Sequence, residues 1–279
     1  MSQSSLGAIL AALVLTGCST LAIDRAEDLA DTGKQYVATL KKVNELALDK
    51  SIAFSAELLA HSQEPRTPEQ LARQTAELKA RAQVVAQEEL ELDKLQNRFA
   101  EYASIAKGDP GESTAQTLGK VADSLPTSLS LPSDSFTGMG GLFTRQSRAL
   151  ALSNALARDA DAIAQALVRD ETMLKQQIDW IESRENSARE LDYQLKVCAP
   201  FLSQPAGKEL GAEWKSAWSD YVHAPQILTL LTEARHTNQV MQKTWRAVLR
   251  DNFAFDDIKA ALESLKSRIA TSATPRVLR

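Results

Sequence analysis

Histidine, cysteine and clustered carboxylates supply most metal ligands and catalytic nucleophiles in proteins. The chain has three histidines, His61, His223 and His236, and none has a second histidine or cysteine at metal-ligand spacing. It contains no HExxH sequence, and its one Glu-x-x-His sequence, Glu233 to His236, lacks the second copy that di-metal helical bundles place on a facing helix. The sequence therefore predicts neither a metal site nor a cofactor.

Acidic residues occur in pairs such as Glu88-Glu89 and Asp256-Asp257. Neighbouring side chains diverge on a helix, so these pairs are interpreted as solvated faces and not as general acid–base pairs. No GxSxG, P-loop or GxGxxG sequence is present, and the glycines at 138–141 lack the Lys-Ser/Thr that grips a phosphate. We therefore expect a protein without enzymatic activity.

Two groups of apolar residues are candidates for contact with a partner. Leu210, Trp214, Trp218 and Tyr221 share one face of a predicted helix, which favours either core packing or an aromatic platform for a glycan or a protein.

The second group lies at a predicted turn and comprises Cys198, Pro200, Phe201 and Leu202. An exposed apolar cluster usually marks an interaction site. The alternative is that Phe201 and Leu202 fold back and cap the helices. Cys198 is interpreted as a small buried hydrophobe, with an intermolecular disulfide as the alternative.

The amino terminus carries a targeting pattern. Residues 6–15 read LGAILAALVL, too short to span a bilayer core of about 30 Å but suited to the apolar region of a secretory signal. Leu15-Thr16-Gly17-Cys18 follows directly. This sequence resembles the lipobox of bacterial lipoprotein signal peptides, although residues 1–5 lack the usual Lys or Arg.

The resemblance implies cleavage before Cys18, diacylglycerol on its thiol and a fatty acid such as palmitate on the new amino terminus. Several acyl chains together give a stable membrane anchor. Ser19 after the cysteine implies the periplasmic face of the outer membrane, with an inner-membrane lipoprotein as the alternative. Residues 1–17 are then the signal peptide and 18–23 an acylated tether.

Composition favours helices and argues against nucleic acid as a partner. Among 279 residues, 44% are hydrophobic and 5% are aromatic, and alanine and leucine are good helix formers. The net charge of −4 leaves no basic excess to neutralise phosphates.

Apolar spacing predicts helices over 24–62, 68–107 and 146–197, followed by pieces at 207–222, 225–250 and 255–271. Thr67 and Pro68 form a helix-start signal, and Gly108 marks the following stop. Two seven-residue repeats support close packing between helices. The repeats comprise Leu71, Leu78, Val85, Leu92, Phe99 and Ala106, and Ala160, Leu167, Leu174, Ile181, Ala188 and Leu195.

These elements predict an all-α fold: an elongated antiparallel bundle of about four long helices, the last one broken. One domain is expected over 24–272, followed by a tail at 273–279. Residues 107–146 are rich in Gly, Pro and Ser and are expected to form a long flexible loop.

The short tether predicts that this loop faces the membrane if the bundle stands upright, and that the turn at 198–206 is distal. A bundle lying flat is the alternative. The apolar residues of the candidate membrane-proximal loop are Leu129, Leu131, Phe136, Met139, Leu142 and Phe143.

An anchor combined with long helices and no catalytic motif favours a periplasmic interaction or scaffold protein that contacts another envelope protein. The first alternative is an immunity-type lipoprotein that neutralises a toxic effector. A membrane-active helical protein and an enzyme acting on peptidoglycan are the less favoured alternatives.

Overall fold

A computed structural model describes residues 4–61, 66–108, 136–205, 207–222 and 226–273. Their side chains are described from Ile23 onward, except at 136–144, 146 and 273. The predicted all-α class is confirmed, since these residues are helical with short connections and include no strand. The helices are α1 (Ser4–Ala60), α2 (Pro68–Lys107), α3 (Phe136–Asp192), a π-helical segment (Tyr193–Cys198), α4 (Ala199–Ser203), α5 (Ala212–Val222), α6 (Gln226–Val248) and α7 (Asp256–Ala273).

The ends of α2 are set by local chemistry that the sequence shows. The backbone N–H of Gln70 donates to Thr67 Oγ1 at 3.1 Å, so Thr67 caps the helix as predicted. At the other end, Gly108 has φ 78°, a conformation that glycine adopts without strain. Its N–H donates to the carbonyl of Ile105 at 3.1 Å and closes the last turn.

Two helices begin earlier than predicted. α1 begins at Ser4, so the segment 18–23, predicted as an acylated tether before the first helix, is itself helical. α3 begins at Phe136, which makes the loop prediction wrong for 136–146. Each glycine costs a helix about 1 kcal/mol relative to alanine, but adding turns to an already formed helix requires no new nucleation. The remainder of the predicted loop, including Leu129 and Leu131, lies outside the described residues.

The chain divides into two compact units, each assembled from three stretches. Unit 1 comprises 1–38, 91–168 and 240–261. Its core holds an aromatic cluster of Phe99, Tyr102 and Trp245, in which Phe99 meets each of the other two rings edge-on at 6.2 Å. Gly33 of α1 lies directly against the Phe99 ring, so the absence of a side chain permits close approach of α1 and α2.

A buried carboxylate in unit 1 is fully engaged by neighbouring donors. Asp159 accepts hydrogen bonds from Arg98 at 2.6 Å, from Arg158 at 2.8 Å and from the Tyr102 hydroxyl at 3.1 Å. Burial by itself raises the pKa of Asp159, but the hydrogen bonds and charges of the two arginines lower it overall. The charge is therefore compensated inside the core.

Unit 2 comprises 39–90, 169–239 and 262–279. Within it, Glu88 of α2 faces Arg169 of α3 at 3.5 Å, and Glu77 faces Arg184 at 2.6 Å. Because one number falls as the other rises, α2 and α3 run antiparallel in this unit. The elongated bundle of the whole chain stays a prediction.

The seven-residue repeats are buried in their central parts. Leu92 and Phe99 of α2 and Leu174 and Ile181 of α3 are all buried. Leu71, by contrast, is exposed, as is Leu195 at the other end of the second repeat. The repeats therefore predict the packed faces correctly except near the helix ends.

Candidate functional site

The predicted turn at 198–206 begins later in the structure, because the chain stays helical to Ser203 and leaves the helix at Gln204. After α3 the chain forms the π-helical segment, in which the Ala199 N–H donates to the carbonyl of Gln194, five residues back. A proline in an α-helix lacks this donor, and its ring clashes with the carbonyl four residues earlier. The wider π turn relieves that clash and lets helix α4 include Pro200 in its first turn.

Helix α4 exposes the apolar residues that the sequence placed at the turn. Phe201 is 56% exposed and Leu202 is 79% exposed, which argues against the alternative that they fold back as a cap. Cys198 is a free, partly buried thiol. A hydrogen bond with Cys198 raises the pKa of the Tyr193 phenol.

Three aromatic rings stack across α4 and α5, and we name Phe201, Trp214 and Trp218 the aromatic ladder. The Phe201 and Trp214 ring centroids lie 5.9 Å apart, and those of Trp214 and Trp218 lie 5.5 Å apart. The Trp214 indole N–H donates to the carbonyl of Val197 at 2.9 Å. This hydrogen bond fixes α5 against the π-helical segment.

Helix α5 is amphipathic but has no buried residue. Trp218 is 51% exposed, and Val222 extends the exposed apolar row by one further turn. Of the two interpretations that the sequence left open, core packing is therefore wrong for Trp218. Leu210 precedes the helix and does not share its face.

The end of α5 that carries Tyr221 is fixed to α3 and the π-helical segment. Tyr221 stacks on Tyr193 with ring centroids 4.3 Å apart. Arg189 lies over the Tyr221 ring at 5.4 Å and donates to the Tyr221 backbone carbonyl. At the start of α5, Lys215 pairs with Glu209 at 2.8 Å, and this hydrogen bond lowers the pKa of Glu209. The ladder is thus held on a braced helix.

The histidines do not assemble a site in the described part of the chain. His61 pairs with Glu57 at 3.3 Å, and His236 is exposed on α6. His223 lies outside the described residues, as does the side chain of Cys18. The side chains of the other loop candidates, Phe136, Met139, Leu142 and Phe143, also lie outside them. Among the residues searched, no group of three or more His, Cys, Asp or Glu could hold a metal ion.

Sequence reasoning missed one buried polar residue of unit 2, Glu185 of α3. It lies four residues after the buried Ile181 and is itself buried. The sequence does contain a signal for this residue. Glu185 is a carboxylate on the helix face that the seven-residue repeat turns towards the core.

No protein family matches the chain, and comparisons with curated proteins and with solved structures find no match. In the part of the chain that the structure describes, no helix combines the length and apolar character needed to cross a membrane.

Proposed function

We propose that this protein is a lipid-anchored interaction protein of the bacterial envelope that contacts another envelope protein through the aromatic ladder. The observation that carries the proposal is α5, a helix with two tryptophans and no buried residue. Water-exposed tryptophan is uncommon without a binding role, and tryptophan is enriched at the energetic centres of protein interfaces. The proposed partner surface is an apolar pocket or groove that receives Trp218 and Phe201.

The stacked arrangement favours binding because the rings are already positioned. The Trp214 hydrogen bond to Val197 and the two ring stacks restrict side-chain rotation before any partner arrives. Immobilising a flexible side chain on association costs about 0.5–1.5 kcal/mol, and a preformed ladder avoids much of that cost. A fully covered aromatic side chain buries about 150–250 Å², and the exposed halves of Phe201 and Trp218 each still offer part of that area to a partner.

The anchor is supported by Leu15-Thr16-Gly17-Cys18 after an apolar run. Acyl chains on Cys18 would hold the protein at the periplasmic face of a membrane, with Ser19 favouring the outer membrane. Confinement to a membrane surface raises the local concentration of an envelope partner, so a modest apolar patch is sufficient for a specific contact.

The experiment is photo-crosslinking in intact cells, with a photoreactive residue at Ser219 beside Trp218. A distinct protein adduct is expected, and Trp218→Ala should lower its yield at least tenfold. Leu90→Ala is the matched control because Leu90 is 57% exposed but belongs to no aromatic ladder. Cys18→Ser should abolish acyl labelling and release the protein from the membrane fraction.

Equal yields in the Trp218 and Leu90 variants would refute the ladder as the contact surface. Adducts to lipid in place of protein would favour the membrane-active alternative. A toxic effector as the adduct would narrow the function to the immunity-type lipoprotein.

A further inference from the structure

Unit 2 contains a cavity of about 760 Å³ that is lined in part by α5 but by none of the three rings of the aromatic ladder. Its wall includes Phe54 of α1, the stacked Tyr193 and Tyr221, and Ile227 at the start of α6. Small-molecule sites in proteins typically occupy 300–1,000 Å³ and combine apolar walls with a few polar groups. The dimensions and the aromatic wall therefore suit a small ligand.

The polar group that marks this cavity is the carboxyl of Glu185. Its side chain is only 5% exposed, and its Oε2 atom has no hydrogen-bond partner within the described part of the chain. Burial raises the pKa of Glu185 to about 7, although the charges of Arg189 and Lys50 act in the opposite direction. A buried acceptor without a donor destabilises the folded chain, so an incoming donor would recover stability.

Two cationic side chains of the cavity wall, Arg189 and Lys196, donate hydrogen bonds to groups other than Glu185. Arg189 donates to the Tyr221 carbonyl, and Lys196 pairs with Asp192 at 2.8 Å and with Glu57 at 3.2 Å. Six charged groups line the cavity besides Glu185. They are Lys50 from α1, Arg189 and Asp192 from α3, Lys196 from the π-helical segment, and Glu213 and Asp220 from α5. With Glu185 ionised, acidic groups outnumber basic groups by one.

We propose that this cavity binds a small organic cation, an ammonium or guanidinium group on an apolar stem, with Glu185 Oε2 accepting its hydrogen bond. The tyrosine pair and Phe54 would contact the stem and add cation–π attraction. A charge-assisted hydrogen bond satisfies a carboxylate more strongly than a neutral donor does. A metal ion is disfavoured because the searched residues offer no cluster of three ligands here.

The test is isothermal titration calorimetry on the full chain in detergent, with 2-phenylethylamine and its uncharged analogue 2-phenylethanol as probes. At pH 8 the amine should bind at least tenfold more tightly than the alcohol. Glu185→Gln should weaken amine binding at least tenfold and leave alcohol binding within twofold. Glu213→Gln is the matched control, because it removes the same charge from an exposed position on the same wall, and it should change amine affinity less than twofold.

A second measurement separates direct contact between the amine and Glu185 from a general effect of negative charge in the cavity. Protonated Glu185 carries no charge and cannot form an ion pair with the amine. Amine affinity should therefore fall roughly tenfold per pH unit below the pKa of about 7. The Glu185→Gln variant should lose this dependence while keeping its helical circular dichroism. No amine binding at 10 mM, equal binding of amine and alcohol, or equal losses in the two variants would each overturn the proposal. None of these outcomes bears on the aromatic ladder.

Discussion

Replacing Gly33 with alanine tests whether α1 and α2 approach each other closely. The test is the sign of the change in the free energy of unfolding. In an ordinary helix interior, glycine to alanine stabilises by about 1 kcal/mol because alanine loses less backbone entropy on folding. Here the added Cβ would lie 2.8 Å from Cδ1 of Phe99 and closer still to two other ring carbons. Propensity and packing therefore predict opposite outcomes for the same substitution.

The surroundings of Phe99 decide which effect is larger. The ring is fully buried and is held edge-on by Tyr102 and Trp245, with centroid distances of 6.2 Å to each. A rotation of the ring that makes room for the Cβ would therefore disturb these two ring contacts, and the alternative is separation of the helices. Overpacking a core of this kind costs about 1–3 kcal/mol. After subtraction of the propensity gain of about 1 kcal/mol, we expect Gly33→Ala to lower the free energy of unfolding by about 0–2 kcal/mol.

Urea titration followed by circular dichroism at 222 nm measures this change. Lys34→Ala is the control, since Lys34 is exposed on the same helix turn and should shift the midpoint little. The double variant Gly33→Ala/Phe99→Leu should be less destabilised than the sum of its single variants, because the smaller side chain makes room for the methyl group. A higher urea midpoint for Gly33→Ala, or strict additivity in the double variant, would refute the packing argument.

Three further predictions concern named polar groups. The pKa of Glu185 is about 7 in the folded chain and 4.5 as the reference value. Folded protein therefore keeps the proton to higher pH, and about 3 kcal/mol of stability present below pH 4.5 should be lost as pH rises above 7. Glu185→Gln should flatten this part of the stability–pH curve, and an unchanged slope contradicts the assignment. Asp159→Ala should cost about 1–3 kcal/mol by leaving the buried Tyr102 hydroxyl without its acceptor, measured by urea unfolding; a loss below about 1 kcal/mol contradicts it. Thr67→Ala should cost about 1 kcal/mol by the same assay, with Thr67→Ser as the control that keeps the cap.

The sequence predicts helix ends well where the stop or start signal is local. Thr67 caps α2 through a hydrogen bond to a residue three positions away, and Gly108 ends it through a backbone conformation of its own. Both effects depend on a few neighbouring residues, so residue type and spacing are sufficient. The buried centres of the two repeats are predictable for the same reason, because helical periodicity places them on one face.

Two other signals are misleading when they are read from the sequence alone. Pro200 usually marks a helix end, but here the preceding π-helical segment accommodates its ring. Similarly, the spacing of Trp214 and Trp218 shows that they share a face but not whether that face is covered. Whether a partner element covers a helix face is decided by tertiary packing, and α5 has no such cover among the described residues.

Asp159 and Glu185 illustrate why residue type alone does not identify a binding site. Both are acidic residues on α3, both are buried, and the sequence gives no reason to treat them differently. Arg98 and Tyr102, which satisfy Asp159, come from positions 61 and 57 residues away, so only the folded chain reveals that its charge is compensated. Glu185 has an acceptor atom left without a donor beside a cavity. The unsatisfied acceptor atom points to a ligand, and the carboxylate type alone does not. An incoming cation would donate a hydrogen bond to this atom and so lower its free energy.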